Sequence, residues 1–570
     1  MKKVLHMVLP LLFIITPLAA QFFYIYRFSV DVPWWDEWAF VDLLQAWSRH
    51  DFGQVVALLW AQHNEHRPIF PRLIMLILAD FTGWDVRIEM YFGLLLSTLL
   101  LVVIGLVYNK TVGNFLWLFV PLAWLVFSLG QWENILWGWQ IAFYLQTLAT
   151  LGAIYLLSIR SLRSTIFAAL CAVVASFSSI GGLLSWPAGM LCLLAQKASR
   201  KRLLLWGVAG ILTISAYFIG YVPPQHHPSI LMGLSQSVET VLFFLTNVGA
   251  PLGGNSLLFS RAMGICLFLL LLVYLCQRLR EAGVESKGMV EAEILPISMV
   301  VVSLFNSAVI ALGRVGFGHP DLAMSSRYIT FASVGIAGEY VLFAQYWVIA
   351  KQADCKTQQF SSSLLSALIS IMLVGLAASN LYGLQQGRAL HASRLHAQHV
   401  LRTFEIQPDE ALTALFINPM FVRERAQFLQ ERRFSVFRES RVLLLSRTSG
   451  WSGEEAWGVW AEGLSSEAVL WTADPADLRL LLEAFPHCVP GQHQAITVTI
   501  NNTLIAQHTW QDCSPWSTQI SIPSSILQKG KNMLRFSFAY AARPVDVTQG
   551  QNGDTRWLSV GFSKLGVEKP

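Results

Sequence analysis

The chain has 570 residues, of which 54% are hydrophobic and only 13% charged. A soluble domain carries roughly a quarter charged residues, so most of this chain is built for lipid. The net charge of +5 is spread over short loops, and no Lys/Arg run has the look of a nucleic-acid patch, which excludes nucleic acid as a partner.

Met1-Lys2-Lys3 opens an apolar run reaching about Tyr26. Leu18-Ala19-Ala20-Gln21 is a weak cleavage site, so the run reads as an uncleaved first membrane helix. Further runs of spanning length lie near 86–108, 114–130, 140–158, 165–181, 183–196, 203–222, 257–277, 291–313, 327–350 and 360–382. With the first they give about eleven spans in a polytopic α-helical membrane domain over residues 1–382. The 231–256 stretch, broken by Pro251 and Gly253-Gly254, reads as re-entrant or juxtamembrane.

Lys2, Lys3, Lys110, Arg160, Arg163, the 197–202 basic run, Arg278, Arg280, Lys351 and Lys356 fall on one side. Alternate loops hold Asp36, Glu37, Glu133, His226, His227 and Asp321. The bias places the N-terminus in the cytoplasm and everything after about residue 383 outside a bacterial cytoplasmic membrane. The 21 Trp suit interfacial belts.

The first outer loop, residues 28–85, is long. Phe40, Leu43, Leu44, Trp47, Leu58 and Leu59 alternate with Asp42, Arg49 and Asp51, which predicts an amphipathic interfacial helix over 39–61. A second interfacial piece runs from Pro68 to Phe81. Residues 383–445 read as a helical stem carrying Arg423, Arg425, Arg432 and Arg433. Residues 446–570 alternate as strands, for example 495–500, 519–523, 533–538 and 557–562, with Asn501-Asn502 and Lys529-Gly530 as turns. They predict an extracytoplasmic β-sandwich. Five of the seven cysteines sit in apolar segments or basic loops; Cys488 and Cys513 lie in this polar region, where an oxidising compartment permits a disulfide.

Four polar groupings carry candidate chemistry. In Pro33-Trp34-Trp35-Asp36-Glu37-Trp38, two acids stand among indoles at a membrane surface, where one can act as general base while the other orients it or holds a cation. The plainer reading is a solvated loop beside belt tryptophans. In His63-Asn64-Glu65-His66-Arg67-Pro68, His63, His66 and Arg67 are candidates for phosphate and Glu65 for orienting a histidine. The alternative is a polar cap above Pro68. His63 and His66 also leave a divalent metal open as the one cofactor, although no third ligand is evident nearby.

Arg314 and Arg327, with Ser325, Ser326 and Tyr328, flank one outer loop, where two guanidinium groups can neutralise a departing lipid phosphate. Snorkelling to headgroups is the competing role. In 131–140, Trp132, Trp137 and Trp139 can stack on a sugar with Glu133, Asn134 and Gln140 as hydroxyl partners, and Trp35 can add a further ring; an aromatic belt explains the same residues. The His226-His227 pair between prolines reads as solvated. No Walker loop, Rossmann fingerprint or Gly-x-Ser-x-Gly elbow is present, so nucleotide-dependent chemistry has no sequence support.

The first span, the long outer loop with Asp36-Glu37 and two interfacial helices, and the many later spans resemble the C-type membrane glycosyltransferases (the GT-C fold). That superfamily includes the protein O-mannosyltransferases and the aminoarabinose transferases of lipid A. The resemblance covers about residues 1–382. It implies transfer of a sugar from a polyprenyl-phosphate-linked donor on the outer face, with Asp36 or Glu37 as base. The roles of Arg314 and Arg327 come from their chemistry and not from the resemblance.

The 450–460 and 554–562 segments look like β-sandwich domains attached to envelope-polysaccharide enzymes. The expected acceptor is an envelope glycan, lipid or protein. A flippase for lipid-linked sugars or a glycan polymerase or ligase are the rival functions; a flippase calls for charge deep in several spans and an inverted repeat.

Overall fold

A computed structural model describes residues 2–225, 227–282, 289–351, 355–402, 404, 407–438, 444–453, 455, 457–472 and 475–568. His226, named above, and residues 454 and 456 of the 450–460 segment lie outside the described residues. The chain divides into two compact units, Met1–Gln398 and His399–Pro570.

The first unit is helical. Eight of the described helices are long and apolar enough to cross a membrane, from Val8–Phe28 to Cys355–Arg402, which makes this a multi-pass membrane protein. Two of the expected spans, near 165–181 and 183–196, fall on Leu162–Ser176 and Ile180–Ala195, both shorter than the eight. At 1.5 Å per residue the first rises only about 22 Å. The expected re-entrant stretch contains the regular helix Ser237–Gly249.

Ile329–Ala350 packs along Met289–Arg314 and is buried on nearly every side, apolar all round as a central helix must be. Glu339 in its middle is buried with Oε1 unpaired among the described residues. Polar side chains tie distant segments: the Tyr24 hydroxyl donates to the Gly383 carbonyl at 2.6 Å and the Tyr340 hydroxyl to that of Leu118 at 2.7 Å. The stem expected from residue 383 differs, because 383–398 continue the single helix Cys355–Arg402 and belong to the first unit.

The single amphipathic helix expected over 39–61 is two helices, Val41–Ser48 and Phe52–Trp60. His50 at φ 57° breaks the chain, and the Asp51 carboxylate restarts it by accepting the Gln54 N–H at 3.0 Å. Ile69–Thr82 follows as the second piece.

The second unit holds the short helices Asp409–Leu412 and Pro419–Arg432 and nine strands. They are β1 (Leu444–Arg447), β2 (Val459–Glu462), β3 (Ser465–Thr472), β4 (Leu478–Pro486), β5 (Ala495–Ile500), β6 (Thr503–Thr509), β7 (Trp516–Ile522), β8 (Gly530–Phe538) and β9 (Leu558–Glu568). Two antiparallel sheets, ordered β1-β3-β8-β5-β6 and β2-β9-β4-β7, enclose one core that includes Ile496, Val498, Leu482, Phe536 and Phe562. Alternation along β5 sends Ile496, Val498 and Ile500 inward, as the period-two pattern requires. Asn501 and Asn502 both take positive φ, the backbone of a tight hairpin. Cys488 and Cys513 are bonded, with Cα atoms 6.0 Å apart, tying the segments after β4 and before β7.

Candidate functional site

One cavity of about 920 Å³ opens within the helical unit. Asp36, His63, Glu65, His66, Arg314 and Arg327 all line it, together with Tyr328 and Gln140. Residues separated by almost 300 positions therefore share one space.

The tandem acids part company. Trp35 takes φ 46° and starts a short 3-10 turn, Trp35–Phe40, anchored by the buried Trp38 and Phe40. Successive side chains on such a turn point about 120° apart. Asp36 consequently faces the cavity, its Oδ1 3.4 Å from His63 Nε2. Glu37 turns inward and is fully buried. It accepts the Trp34 N–H at 2.8 Å and the Trp139 N–H at 3.2 Å, binding the acid turn to the 138–140 segment. Burial pushes its carboxyl up to about 7, with Asp36 adding to the rise against the pull of Arg394 and the two backbone donors. Glu37 does not line the cavity, so of the two acids Asp36 is the one that faces it. Beneath it lies Glu89, whose Oε1 accepts the Trp84 indole N–H at 3.1 Å. Only glycine fits at 138: a Cβ there would lie 2.2 Å from Glu89 Oε2 and 3.2 Å from Glu37 Oε1.

The 63–66 segment is a tight reversal. His63 and His66 exchange both backbone hydrogen bonds at 2.8 Å, with Asn64 at φ 49°. His63 faces Asp36 and packs on Trp139 with centroids 4.8 Å apart. His66 Nδ1 accepts the Ile180 N–H at 3.2 Å, which leaves the Nε2 proton toward Glu65, 3.7 Å away. Each Nε2 thus has a carboxylate of its own within 4 Å, and among the described residues no three His, Cys, Asp or Glu side chains gather as a metal site.

Glu65 is an anchor for cations. Its Oε1 accepts from Arg314 Nη2, and its Oε2 stands 3.2 Å from His227 Nδ1. Arg314 Nε donates to the Tyr328 hydroxyl at 3.0 Å, and its Nη1 lies 3.1 Å from His227 Nδ1. The solvated reading of His227 is thus corrected: it lines the cavity and belongs to this network. Burial alone would raise the Glu65 carboxyl, but His66, Arg314 and His227 hold it down to about 2. Burial lowers His66 to about 4, against the pull of Glu65.

Both shifts make the fold acid-labile. His66 stays neutral in the folded protein while the unfolded chain takes up its proton below about 6.5, so stability falls as pH drops from 6.5 toward 4. Glu65 adds its own loss between about 4.5 and 2. The His66 contribution is about 2 kcal/mol after allowance for its partial exposure. Glu37, raised to about 7, acts in the opposite sense over the same window, so the His66 contribution is read as a difference between two proteins. Thermal unfolding in detergent should show that His66→Asn, which keeps an acceptor for the Ile180 N–H and cannot titrate, loses less stability than the parent protein, or gains more, between pH 7.5 and pH 5.

Arg327 is placed differently from Arg314. Its backbone N–H donates to Glu133 Oε2 at 3.2 Å, while its side chain lines the cavity with Nε buried and unpaired among the described residues. Glu133 thereby fixes the start of the Ser326–Tyr328 turn; it does not line the cavity and is no hydroxyl partner within it. Trp137 is buried outside the lining, and Trp35 is 45% exposed and also outside it. Of the residues expected to meet a sugar, Trp139 and Gln140 line the space, and Trp35, Trp132, Glu133, Asn134 and Trp137 do not.

Arg67 is not available to a phosphate either. It is buried, and it donates from Nε to the Tyr217 carbonyl at 2.7 Å, from Nη1 to Trp60 at 2.9 Å and from Nη2 to Ile219 at 2.6 Å. It satisfies the open carbonyls at the ends of two helices, Phe52–Trp60 and Arg200–Phe218. Sequence reasoning also passed over Gln146, Asn306 and Glu89. The available signal was a polar side chain inside an apolar run.

No family model matches the chain. An uncharacterised protein of Archaeoglobus fulgidus is 27% identical over 132 residues, which are 22% of this chain and 33% of that protein. The match therefore spans about a third of that relative. Among solved structures, the cryo-EM structure of the arabinosyltransferase EmbB from Mycobacterium smegmatis is similar over 98% of this chain and 64% of its own, at a TM-score of 0.31 and 11% identity. A likeness of that size has no bearing on chemistry.

Proposed function

We propose that this multi-pass membrane protein is a glycosyltransferase that moves a sugar from a polyprenyl-phosphate donor to a hydroxyl of an envelope glycan, lipid or protein. The reading rests on one observation: a free-facing carboxylate, Asp36, shares a cavity at the helix ends with two guanidinium groups, Arg314 and Arg327. A base and an anion site in one space suit displacement at a carbon bearing a phosphate leaving group. The one-sided distribution of Lys and Arg supports an extracytoplasmic cavity and β-sandwich in a bacterial cytoplasmic membrane.

In this reaction Asp36 takes the proton of the acceptor hydroxyl, and His63 holds the carboxylate in place. The acceptor oxygen attacks the anomeric carbon, the bond to the phosphate oxygen breaks, and the lipid phosphate leaves with the electron pair toward Arg327. Arg314, held by Glu65, His227 and Tyr328, supplies fixed positive charge beside it. A single displacement inverts the anomeric configuration, and Asp36 returns its proton to water. Charge stabilisation at the leaving group supplies several kcal/mol.

The deciding assay is purified protein in nanodiscs with a radiolabelled undecaprenyl-phosphate sugar and envelope acceptor. Label appearing on the acceptor, with free undecaprenyl phosphate released, supports transfer. Label crossing the bilayer of proteoliposomes still attached to its lipid, with none transferred, would make the protein a flippase.

A further inference from the structure

The cavity has an uncharged wall in addition to its charged rim. The four Asp, Glu and Arg residues of the lining, Asp36, Glu65, Arg314 and Arg327, lie at the helix ends. Gln146 lies six residues beyond Gln140 along Ile141–Leu157, about 9 Å deeper. Asn306 lies eight residues before Arg314, about 12 Å deeper on its own helix. Gln146 Nε2 donates to Asn306 Oδ1 at 3.3 Å, and Asn306 Nδ2 to the Val302 carbonyl at 2.9 Å. The chain passes this pair at Gly181, where a Cβ would sit 2.4 Å from Asn306 Oδ1 and 2.9 Å from Gln146 Nε2.

Gln140 and Gln146 are 2% and 1% exposed, and Oε1 of each has no hydrogen-bond partner among the described residues. Leaving such an acceptor unpaired costs about 1–3 kcal/mol. Both amides line the same space, on which the Phe143 and Phe331 rings also border. Unpaired acceptors beside apolar rings match a molecule with O–H donors on its edge and C–H groups on its face.

We propose that Gln140, Gln146 and Asn306 form the sugar-recognition subsite, and that it selects an uncharged polyhydroxylated ring. This rests on the reading of the cavity as a lipid-phosphate-sugar site. The two amide oxygens are covered as the cavity stands, so each side chain rotates toward the ring to accept from a hydroxyl, and Phe143 takes the C–H face. A uronate or an ammonium sugar would lose hydration against this wall without meeting a counter-charge.

The test measures binding to the full-length protein in nanodiscs. The probes are undecaprenyl phosphate alone and undecaprenyl phosphate carrying glucose, mannose, galactose, arabinose, glucuronic acid or 4-amino-4-deoxyarabinose. At least one neutral sugar lipid should bind about tenfold or more tighter than both charged ones. The near-isosteric Gln146→Met and Asn306→Leu variants should remove that preference and leave the affinity for undecaprenyl phosphate unchanged. Equal binding of charged and neutral sugar lipids overturns the subsite, whether or not the variants fold. So does an undiminished preference in folded Gln146→Met and Asn306→Leu. Neither result touches the lipid-phosphate reading, which fails separately if undecaprenyl phosphate does not bind at all.

Discussion

Asp36→Asn should lower sugar transfer by about 10²–10⁴-fold while leaving the protein as stable as before. The rate loss follows from removing the cavity carboxylate that, unlike Glu65, is not held by an arginine and can accept a proton. The unchanged stability follows from its surroundings: the side chain is 28% exposed, and a change at such a position is usually worth within about 0.5 kcal/mol. Glu37→Gln should behave in the opposite way. Both oxygens of Glu37 accept backbone N–H groups, and an amide can keep one of these bonds while turning a donor toward the other. The midpoint of thermal unfolding should fall, and the rate per folded molecule should be largely kept. Rate and unfolding measured on both variants separate the cases. A folded, inactive Glu37→Gln beside an active Asp36→Asn would move the base to the buried acid and undo the assignment.

Breaking the Glu65–Arg314 pair should give the largest stability change in the cavity. With Glu65→Ala the guanidinium keeps Tyr328 but loses its carboxylate in a site where its side chain is only 17% exposed. Removing one member of a buried pair costs roughly 3–5 kcal/mol, mostly because a charge is left uncompensated. Glu65→Ala combined with Arg314→Met removes both charges and should recover much of that loss. Transfer should stay low in the double variant, because the fixed positive charge beside the phosphate is gone. Calorimetry on the single and double variants reads the coupling. Strictly additive losses would mean that the two side chains do not hold one another.

The two-part architecture follows from patterns visible in the chain: apolar runs, then period-two alternation in 495–500 and 533–538. The meeting of Asp36, Arg314 and Arg327 was also legible, since like chemistry collected at the ends of successive apolar runs. What stayed hidden depends on rotation and on partners. Asp36 and Glu37 are neighbours with equal chemistry, and one step of a short helical turn sends them to opposite sides. Arg67 resembles a phosphate ligand until the carbonyls of Trp60, Tyr217 and Ile219 are seen to occupy its donors. His227 looks solvated between prolines until Glu65, more than 160 positions earlier, faces it. Trp137 and Glu133 share a segment with Gln140 but not its direction.

The reversal at 63–66 has a mechanical consequence. One four-residue turn sends His63 to the acid and Glu65 to the arginine, so the proton-accepting and anion-holding halves of the cavity hang from a common bracket. Asp36 itself is carried by the Trp35–Phe40 turn and Arg314 by the end of Met289–Arg314, so the reversal links two elements from between them. A displacement of either element therefore loads the same four residues, and the two halves do not change independently of one another.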